Sequence, residues 1–280
     1  MKFLIIIPAH NEEQNIQFCL ESLKNQTYQD FKCIVVNDGS IDKTQEIVED
    51  FIIQNSKFKI QNLEKSVHEP GAKVVRTFNK ALEIVDLNDF DVICKFDADI
   101  IFPENYLEKI NKIYEQNPKA GMVSGLVYIE KNGEWIFENL SSKNHIRGPI
   151  KSYRKECFLA MKGLRPVLGW DNIDVMLCKM NGFETLTIKD LRVKHLRPTA
   201  YKYKNQKAEK LGEYFYNIGL SFPLAMISSA KSSLKNKSFS EFFITIQSFL
   251  KQKGELKLSK EEIKYIRNLR LKQMFRKDKS

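Results

Sequence analysis

Asp91-Val92-Ile93-Cys94-Lys95-Phe96-Asp97-Ala98-Asp99 is an apolar run closed by two carboxylates one residue apart. Such a run reads as a buried strand, and open α/β sheets bind ligands outside the carboxyl ends of their strands. Asp97 and Asp99 therefore stand where a metal could hold a diphosphate. A second Asp-x-Asp, Asp89-Phe90-Asp91, precedes the run and reads as a turn. Position relative to the strand, not composition, separates the two copies.

Around this stretch, the first 199 residues alternate short β-rich runs with amphipathic helical stretches, the pattern of an α/β domain with a mostly parallel central sheet. Strands are expected at Phe3 to Pro8, Phe31 to Asn37, Phe58 to Leu63 and Met122 to Ile129, with Asn132-Gly133 as a hairpin turn. Asn11 is positioned to cap a helix whose first turn carries Glu12 and Glu13 and whose buried face is Ile16, Cys19, Leu20 and Leu23. Further helices are expected from the Asp38-Gly39-Ser40 turn to Phe51, over Ala72 to Val85, Tyr106 to Tyr114 and Asp171 to Met180. Glu64 to Gly71 and Gly163 to Gly169 read as loops, Arg147 to Tyr153 as basic and irregular, and Thr185 to His195 as extended.

Residues 200–280 differ in character. They carry 18 Lys plus Arg against 7 Asp plus Glu, whereas the first 199 residues carry 27 against 28, so the net charge of +10 belongs to this helical extension. Tyr214 to Ala230 is uncharged over 17 residues, but Asn217, Gly219, Ser221 and Pro223 make it too polar to span a bilayer, which needs about 20 apolar residues. Phe239, Phe242, Phe243, Ile246, Phe249 and Leu250 fall at helical spacing as one apolar face amid lysines, the composition of a helix lying in an anionic membrane surface or packing on the first domain. The start, Met1 to Pro8, is too short for a signal peptide and reads as the first strand. Five cysteines lack paired short spacing and read as reduced core residues, which points to a cytoplasmic setting and away from a zinc site.

Taken in order, Pro8-Ala9-His10-Asn11-Glu12, Val35-Val36-Asn37-Asp38-Gly39-Ser40 with Asp42 and Thr44, Gly71 with Arg76, Asp97-Ala98-Asp99, and Gly169-Trp170-Asp171 through Gly182 resemble the motifs of glycosyltransferase family 2, whose fold is called GT-A. The resemblance covers residues 3–198. It departs at Trp170-Asp171, where the family often has Glu-Asp, and at Arg76-Thr77, where it often has Arg-Asn.

The resemblance implies sugar transfer from a nucleotide diphosphate sugar with inversion at the anomeric carbon. Asp99 is the metal ligand it points to, with Asp97 reaching the ribose or the metal and Mn2+ or Mg2+ as the cation suited to hard oxygen ligands. Pro8, Ala9, His10, Asn11 and Glu12 would wall the base and ribose. Asp38 can accept a hydrogen bond from a base imide N–H, which favours uracil or thymine over cytosine, and can equally cap the following helix. Lys73 and Arg76 would steer toward the diphosphate. Asp171 would be the general base that deprotonates the acceptor hydroxyl, with an N-cap as its alternative role and Asp174 as its rival. His195 would complete the metal shell or touch the diphosphate. Trp170 would stack on an acceptor sugar, and Arg147, with Lys151 and Arg154, would face an anionic acceptor or the donor phosphate.

The function expected is an inverting glycosyltransferase of surface-glycan synthesis, with a glycan or glycolipid acceptor, at the inner face of a bacterial membrane. Two alternatives follow from the same residues: a sugar transferase acting on a polyprenyl phosphate, which needs no base, and a non-catalytic basic protein of a membrane surface or of nucleic acid. Nucleic acid is not the expected partner, because the aromatics of the extension recur on a helical face and build no base-stacking module.

Overall fold

The computed structural model describes residues 1–64, 71–197 and 206–275. In chain order the elements are β1 (Phe3–Ala9), α1 (Ile16–Lys24), β2 (Phe31–Asp38), α2 (Thr44–Ile53), β3 (Phe58–Leu63), α3 (Ala72–Leu82), β4 (Val92–Phe96), β5 (Ile100–Ile101), α4 (Tyr106–Gln116), β6 (Ala120–Lys131) and β7 (Glu134–Phe137). There follow β8 (Ile150–Arg154), α5 (Lys155–Ala160), α6 (Trp170–Met180), β9 (Glu184–His195), α7 (Lys207–Asn217), α8 (Phe222–Asn236), α9 (Phe239–Lys251) and α10 (Lys260–Phe275). Among the described residues the strands form one sheet in the order β3-β2-β1-β4-β8-β6-β9-β5, with β7 paired to β6. β3, β2, β1 and β4 run parallel. β8 is antiparallel to its neighbours β4 and β6, β9 is parallel to β6, and β5 is antiparallel to β9. The parallel expectation thus holds for the half that carries the Asp pair, and the other half is mixed.

Every residue of β4 is buried, as a central strand covered on both faces requires. Side chains alternate between the two faces with a period of two. Phe3, Ile5 and Ile7 pack under α1 and α4 with Leu20, Leu23, Leu107 and Ile110. Leu4 and Ile6 face the other way, toward Val75, Phe78, Phe158, Ile173 and Leu177 of α3, α5 and α6. Full burial of each such aliphatic side chain contributes about 1.5–3 kcal/mol. All five cysteines are free and buried in these layers. Asn132 and Gly133 both have positive φ, 55° and 81°, which gives the β6–β7 hairpin the tight turn its sequence predicts.

Several expectations change. Asn11 does not cap α1, which begins four residues beyond Glu12 with Asn15 before it. With φ at 55°, Asn11 instead turns its side-chain oxygen to accept from the Ile41 amide at 2.9 Å. Arg147 to Tyr153 is not an irregular basic loop: its second half is β8, a buried central strand. Asp89 closes a short 3-10 turn ahead of β4, and Asp91 accepts from the Lys2 amide at 2.7 Å, so the upstream acidic doublet is structural. Most of the expected Glu64 to Gly71 loop and the 199/200 boundary lie outside the described residues.

The C-terminal helices pack on the sheet domain. Phe215, Ile218, Leu224 and Ile266 join the same core layer as α3 and α6. Gly169, at φ +88°, opens α6 directly beneath α7, and a Cβ there would lie 2.2 Å from the Tyr214 ring. Asn217 donates to the Leu168 carbonyl at 3.1 Å, and Arg165 pairs with Glu262 at 2.7 Å. The six apolar residues of α9 form one stripe of the helix, as their spacing predicts, but only part of it is covered. Ile246 and Phe249 pack inward, whereas Phe239, Phe243 and Leu250 are 80%, 69% and 60% exposed. The apolar stripe is wider than the neighbouring helices can cover. Among the described residues no helix is long and apolar enough to cross a membrane.

Candidate active site

The carboxyl ends of β1, β2 and β4 open into one cavity of about 460 Å3. Its first wall is Pro8, Ala9, His10 and Glu12, where β1 runs out. The loop after β1 is stitched to the loop after β2. The His10 ring bonds the Asp38 carbonyl at 2.7 Å, the Asn11 amide donates to Ser40 Oγ at 3.0 Å, and the Glu12 amide donates to Thr44 Oγ1 at 2.7 Å. Asp42 in turn accepts from Thr44 and from the Glu13 amide. Asp42 and Thr44 therefore hold the two loops in register.

Asp38 ends β2, is buried, and faces α3. Lys73 Nζ lies 3.1 Å from its carboxylate, and Thr77 donates to it at 3.2 Å. Gly71, Lys73, Val74 and Thr77 form this side of the cavity. Arg76 sits on the exposed side of the same helix and does not line it.

At the end of β4, Asp97 and Asp99 both reach the cavity with Ala98 between them in the core. Asp97 is paired with Lys95, a buried ammonium that also donates to the Gly148 carbonyl at 3.3 Å. Asp99 faces His195 Nε2 at 3.5 Å and Arg197 at 3.2 Å, and the Leu196 amide donates to the Asp99 carbonyl at 2.9 Å. Arg197 also pairs with Glu12, and it lines the cavity together with Leu168 and Lys210. Burial pushes the Asp99 carboxyl up, but His195 and Arg197 outweigh it and hold it below the usual carboxylate range. Burial raises Glu12 above its ordinary value despite Asn15 and Arg197. Burial also disfavours the His195 cation, yet its hydrogen bonds to Asp99 and Glu138 raise it to about 9.

The residues expected on the acceptor side are arranged differently. Asp171 is half-buried in the first turn of α6, beside Gly148, where an added Cβ would lie 3.8 Å from its Oδ2. The cap of α6 is Gly169, so Asp171 is not its N-cap. Trp170 is only 6% exposed, with the Lys95 and Lys151 ammonium groups each 5.2 Å from its ring centroid. It packs and leaves little ring for a sugar. Arg147 pairs with Glu138 at 2.7 Å, and Arg154 donates to the carbonyls of Ala120, Tyr114 and Asn117, so neither lines the cavity. Lys151 is fully buried against Asp174 at 2.6 Å, and Tyr153 donates to the same carboxylate at 2.6 Å. Asp174, the rival base, is thereby engaged by two buried donors and does not line the cavity.

Thr77, Lys95, Glu138, Arg197 and Lys210 were not expected at or behind the site. A lysine inside an otherwise apolar strand was the available signal for Lys95. Thr77 occupies the position at which this chain departs from the family's Arg-Asn.

The model of glycosyl transferase family 2 matches residues 4–164, more than half of the chain. The chain belongs to that family. Dolichol-phosphate mannosyltransferase of Pyrococcus furiosus is 24% identical over 259 residues, which cover 91% of this chain and 66% of that protein. The mannosyltransferase PcManGT of Pyrobaculum calidifontis, solved with GDP-Man and Mn2+, superposes with a TM-score of 0.61 at 17% identity, covering 100% of this chain and 88% of that one. TarS of S. aureus, residues 1–349 with UDP-GlcNAc, superposes with a TM-score of 0.59 at 20% identity, covering 90% and 76%. These likenesses speak for a GT-A-like fold. The chain spans between 21% and 66% of the length of four curated relatives it matches.

Within this family 2 chain the Lys151–Asp174 pair ties α6 to β8. Asp174→Asn leaves a fully buried ammonium without its carboxylate and should cost about 3–5 kcal/mol in denaturant unfolding. Nucleotide binding to the folded fraction should be unchanged, because Asp174 does not line the cavity. A loss below about 1 kcal/mol would show that the pair does not hold α6 on β8.

Proposed function

We propose that the chain is an inverting, metal-dependent glycosyltransferase that moves a sugar from a nucleotide diphosphate sugar to a hydroxyl of a glycan or glycolipid. The observation that carries this is the single cavity that gathers Asp38, Asp97 and Asp99 with Lys73, Arg197 and Lys210 at the carboxyl ends of β1, β2 and β4. Carboxylates for a base, a ribose and a cation stand beside cations for a diphosphate.

The base lies against Pro8 to His10, and Asp38 accepts its imide N–H, which favours a UDP-sugar. Asp97, its charge already met by Lys95, takes the ribose. Lys73, Arg197 and Lys210 face the diphosphate. Asp99 lines the cavity and His195 stands directly behind it, Nε2 at 3.5 Å from the carboxylate; this oxygen and nitrogen would hold Mn2+ or Mg2+. Among the described residues no group of three such side chains forms, so Asp99 and His195 would hold the cation only together with a bound diphosphate. When bound, the cation neutralises charge developing on the leaving diphosphate as a Lewis acid. Asp171 removes the proton of the acceptor hydroxyl as its oxygen attacks the face opposite the leaving group.

A polyprenyl-phosphate acceptor is the second reading. It is favoured by the name of the Pyrococcus furiosus relative and by the exposed apolar residues of α8 and α9, where Phe222, Ile227, Leu234, Phe239, Phe243 and Leu250 stand at the surface. With Lys231, Lys235 and Lys251 on the same helices, that surface suits peripheral binding to an anionic membrane.

Asp99→Ala should abolish Mn2+-dependent nucleotide-sugar binding while Asp89→Ala leaves it intact; the reverse pattern would move the site. Asp171→Asn should keep donor affinity and lower transfer to a hydroxyl acceptor by about 10²- to 10⁴-fold. Undiminished transfer to the hydroxyl in that variant would remove Asp171 as the base, whereas transfer to a polyprenyl phosphate, already ionised, with none to a hydroxyl would select the phosphate acceptor. For the membrane surface, Phe239→Ser with Phe243→Ser and Leu250→Ser should keep the fold and lose sedimentation with phosphatidylglycerol vesicles. Undiminished sedimentation of that variant, or equal binding to neutral vesicles, would contradict the assignment, since each basic residue near an anionic surface contributes roughly 1 kcal/mol.

A further inference from the structure

Behind Asp99 and His195 stand two buried charges, Glu138 and Arg147, that the proposed chemistry does not use. His195 presents Nε2 to Asp99 at 3.5 Å and Nδ1 to Glu138 Oε2 at 3.3 Å, and the same Glu138 oxygen receives Arg147 Nη1 at 2.7 Å. The side chains of Asp99, His195, Glu138 and Arg147 are 6%, 4%, 3% and 11% exposed. Such a carboxylate is not there by default, because burying one is costly unless it is paired and hydrogen-bonded.

The backbone fixes each member. His195 ends β9 and sits opposite Ile100 of β5 and Ile129 of β6. Glu138 follows directly on β7, and its amide donates to the Val127 carbonyl of β6 at 2.9 Å. The hairpin therefore delivers the carboxylate to the rear of the imidazole ring, and Arg147 balances its charge so that it remains an acceptor.

We propose that Glu138 is a positioning residue for the cation site: it accepts the Nδ1–H of His195, fixes the ring's orientation, and so aims Nε2, whose proton the incoming cation would displace to solvent, at the ion shared with Asp99. This rests on the reading of Asp99 and His195 as the cation's protein ligands. Carboxylates placed in this way behind a ligating histidine raise its basicity and are worth about 10- to 100-fold in metal affinity.

The test is Mn2+ titration of the full chain with saturating UDP or GDP, free Mn2+ being read by its electron paramagnetic resonance signal, with the thermal midpoint measured on the same samples. Glu138→Ala should weaken Mn2+ binding by about 10- to 100-fold. Glu138→Gln, nearly the same shape and still able to accept from Nδ1–H through its amide oxygen, should fold like the parent and lose less. Side-chain ¹⁵N spectra with Mg2+ in place of Mn2+ should show His195 protonated at Nδ1 in the parent and as mixed tautomers in Glu138→Ala. If His195→Ala weakens Mn2+ binding while both Glu138 variants bind like the parent, Glu138 is structural and the inference falls with the proposed function intact. If His195→Ala itself binds Mn2+ like the parent, the ligand role of His195 falls and the inference with it.

Discussion

Asp99 has a side chain only 6% exposed, and its carboxylate stays ionised because His195 and Arg197 face it. A buried charge without such partners would take up a proton and lose its use as an anionic ligand. To supply those partners the chain must bring the end of β9 against the end of β4, and much of the second half of the sheet serves that meeting. β6 carries β9 alongside it for most of its length, β5 closes against His195, and the bond from Leu196 to the Asp99 carbonyl fixes the distance. At Gly125 the two strands come so close that a Cβ would lie 2.3 Å from the Leu191 carbonyl oxygen. A side chain there would push β9, and with it His195, away from the cavity.

The same constraint recurs around the site. Lys95 with Asp97, Lys151 with Asp174, and Arg147 with Glu138 are ion pairs held in or beside the central strands, each with a member under 4% exposed. Breaking one by removing a single partner is far more damaging than never having formed it. Two of the cations, Lys95 and Lys151, also flank Trp170, so the start of α6 and the loop at Gly148 are tied to β4 and β8 by charge as well as by packing. Asp171 stands in that tied corner. The segment from Glu138 to Gly148 accordingly touches the His195 side of the site at one end and the Asp171 side at the other.

Much of this was legible in the sequence where the signal was local. The apolar runs with period-two or full burial placed β1, β2, β3, β4 and β6, the positions of Gly and Asn placed the hairpin turn, and the place of Asp97-Ala98-Asp99 after its strand separated it from Asp89-Phe90-Asp91. What failed was local charge read without its distant partner. Ile150-Lys151-Ser152-Tyr153-Arg154 looks solvated because its neutralising groups, Asp174 and the carbonyls of Tyr114 and Asn117, come from residues 20 or more positions away. Arg147 looked available for a ligand for the same reason. Glu138 and Arg197 carried no motif, and only the register of β6, β7 and β9 brings them to the site. On α9 the spacing gave the face, but the neighbours were invisible, so the sequence could not show which part of it is core and which is surface.

In the proposed function Asp99 and His195 share a divalent cation at the carboxyl end of β4. Anomalous diffraction at the manganese edge, from crystals of the full chain grown with Mn2+ and a nucleoside diphosphate, tests it most directly. One strong peak is expected within bonding distance of both Asp99 and His195, with the diphosphate completing the shell and Arg197 turned off Asp99. A peak that bypasses these two residues, or nucleotide density in the cavity with no anomalous signal beside it, would contradict it.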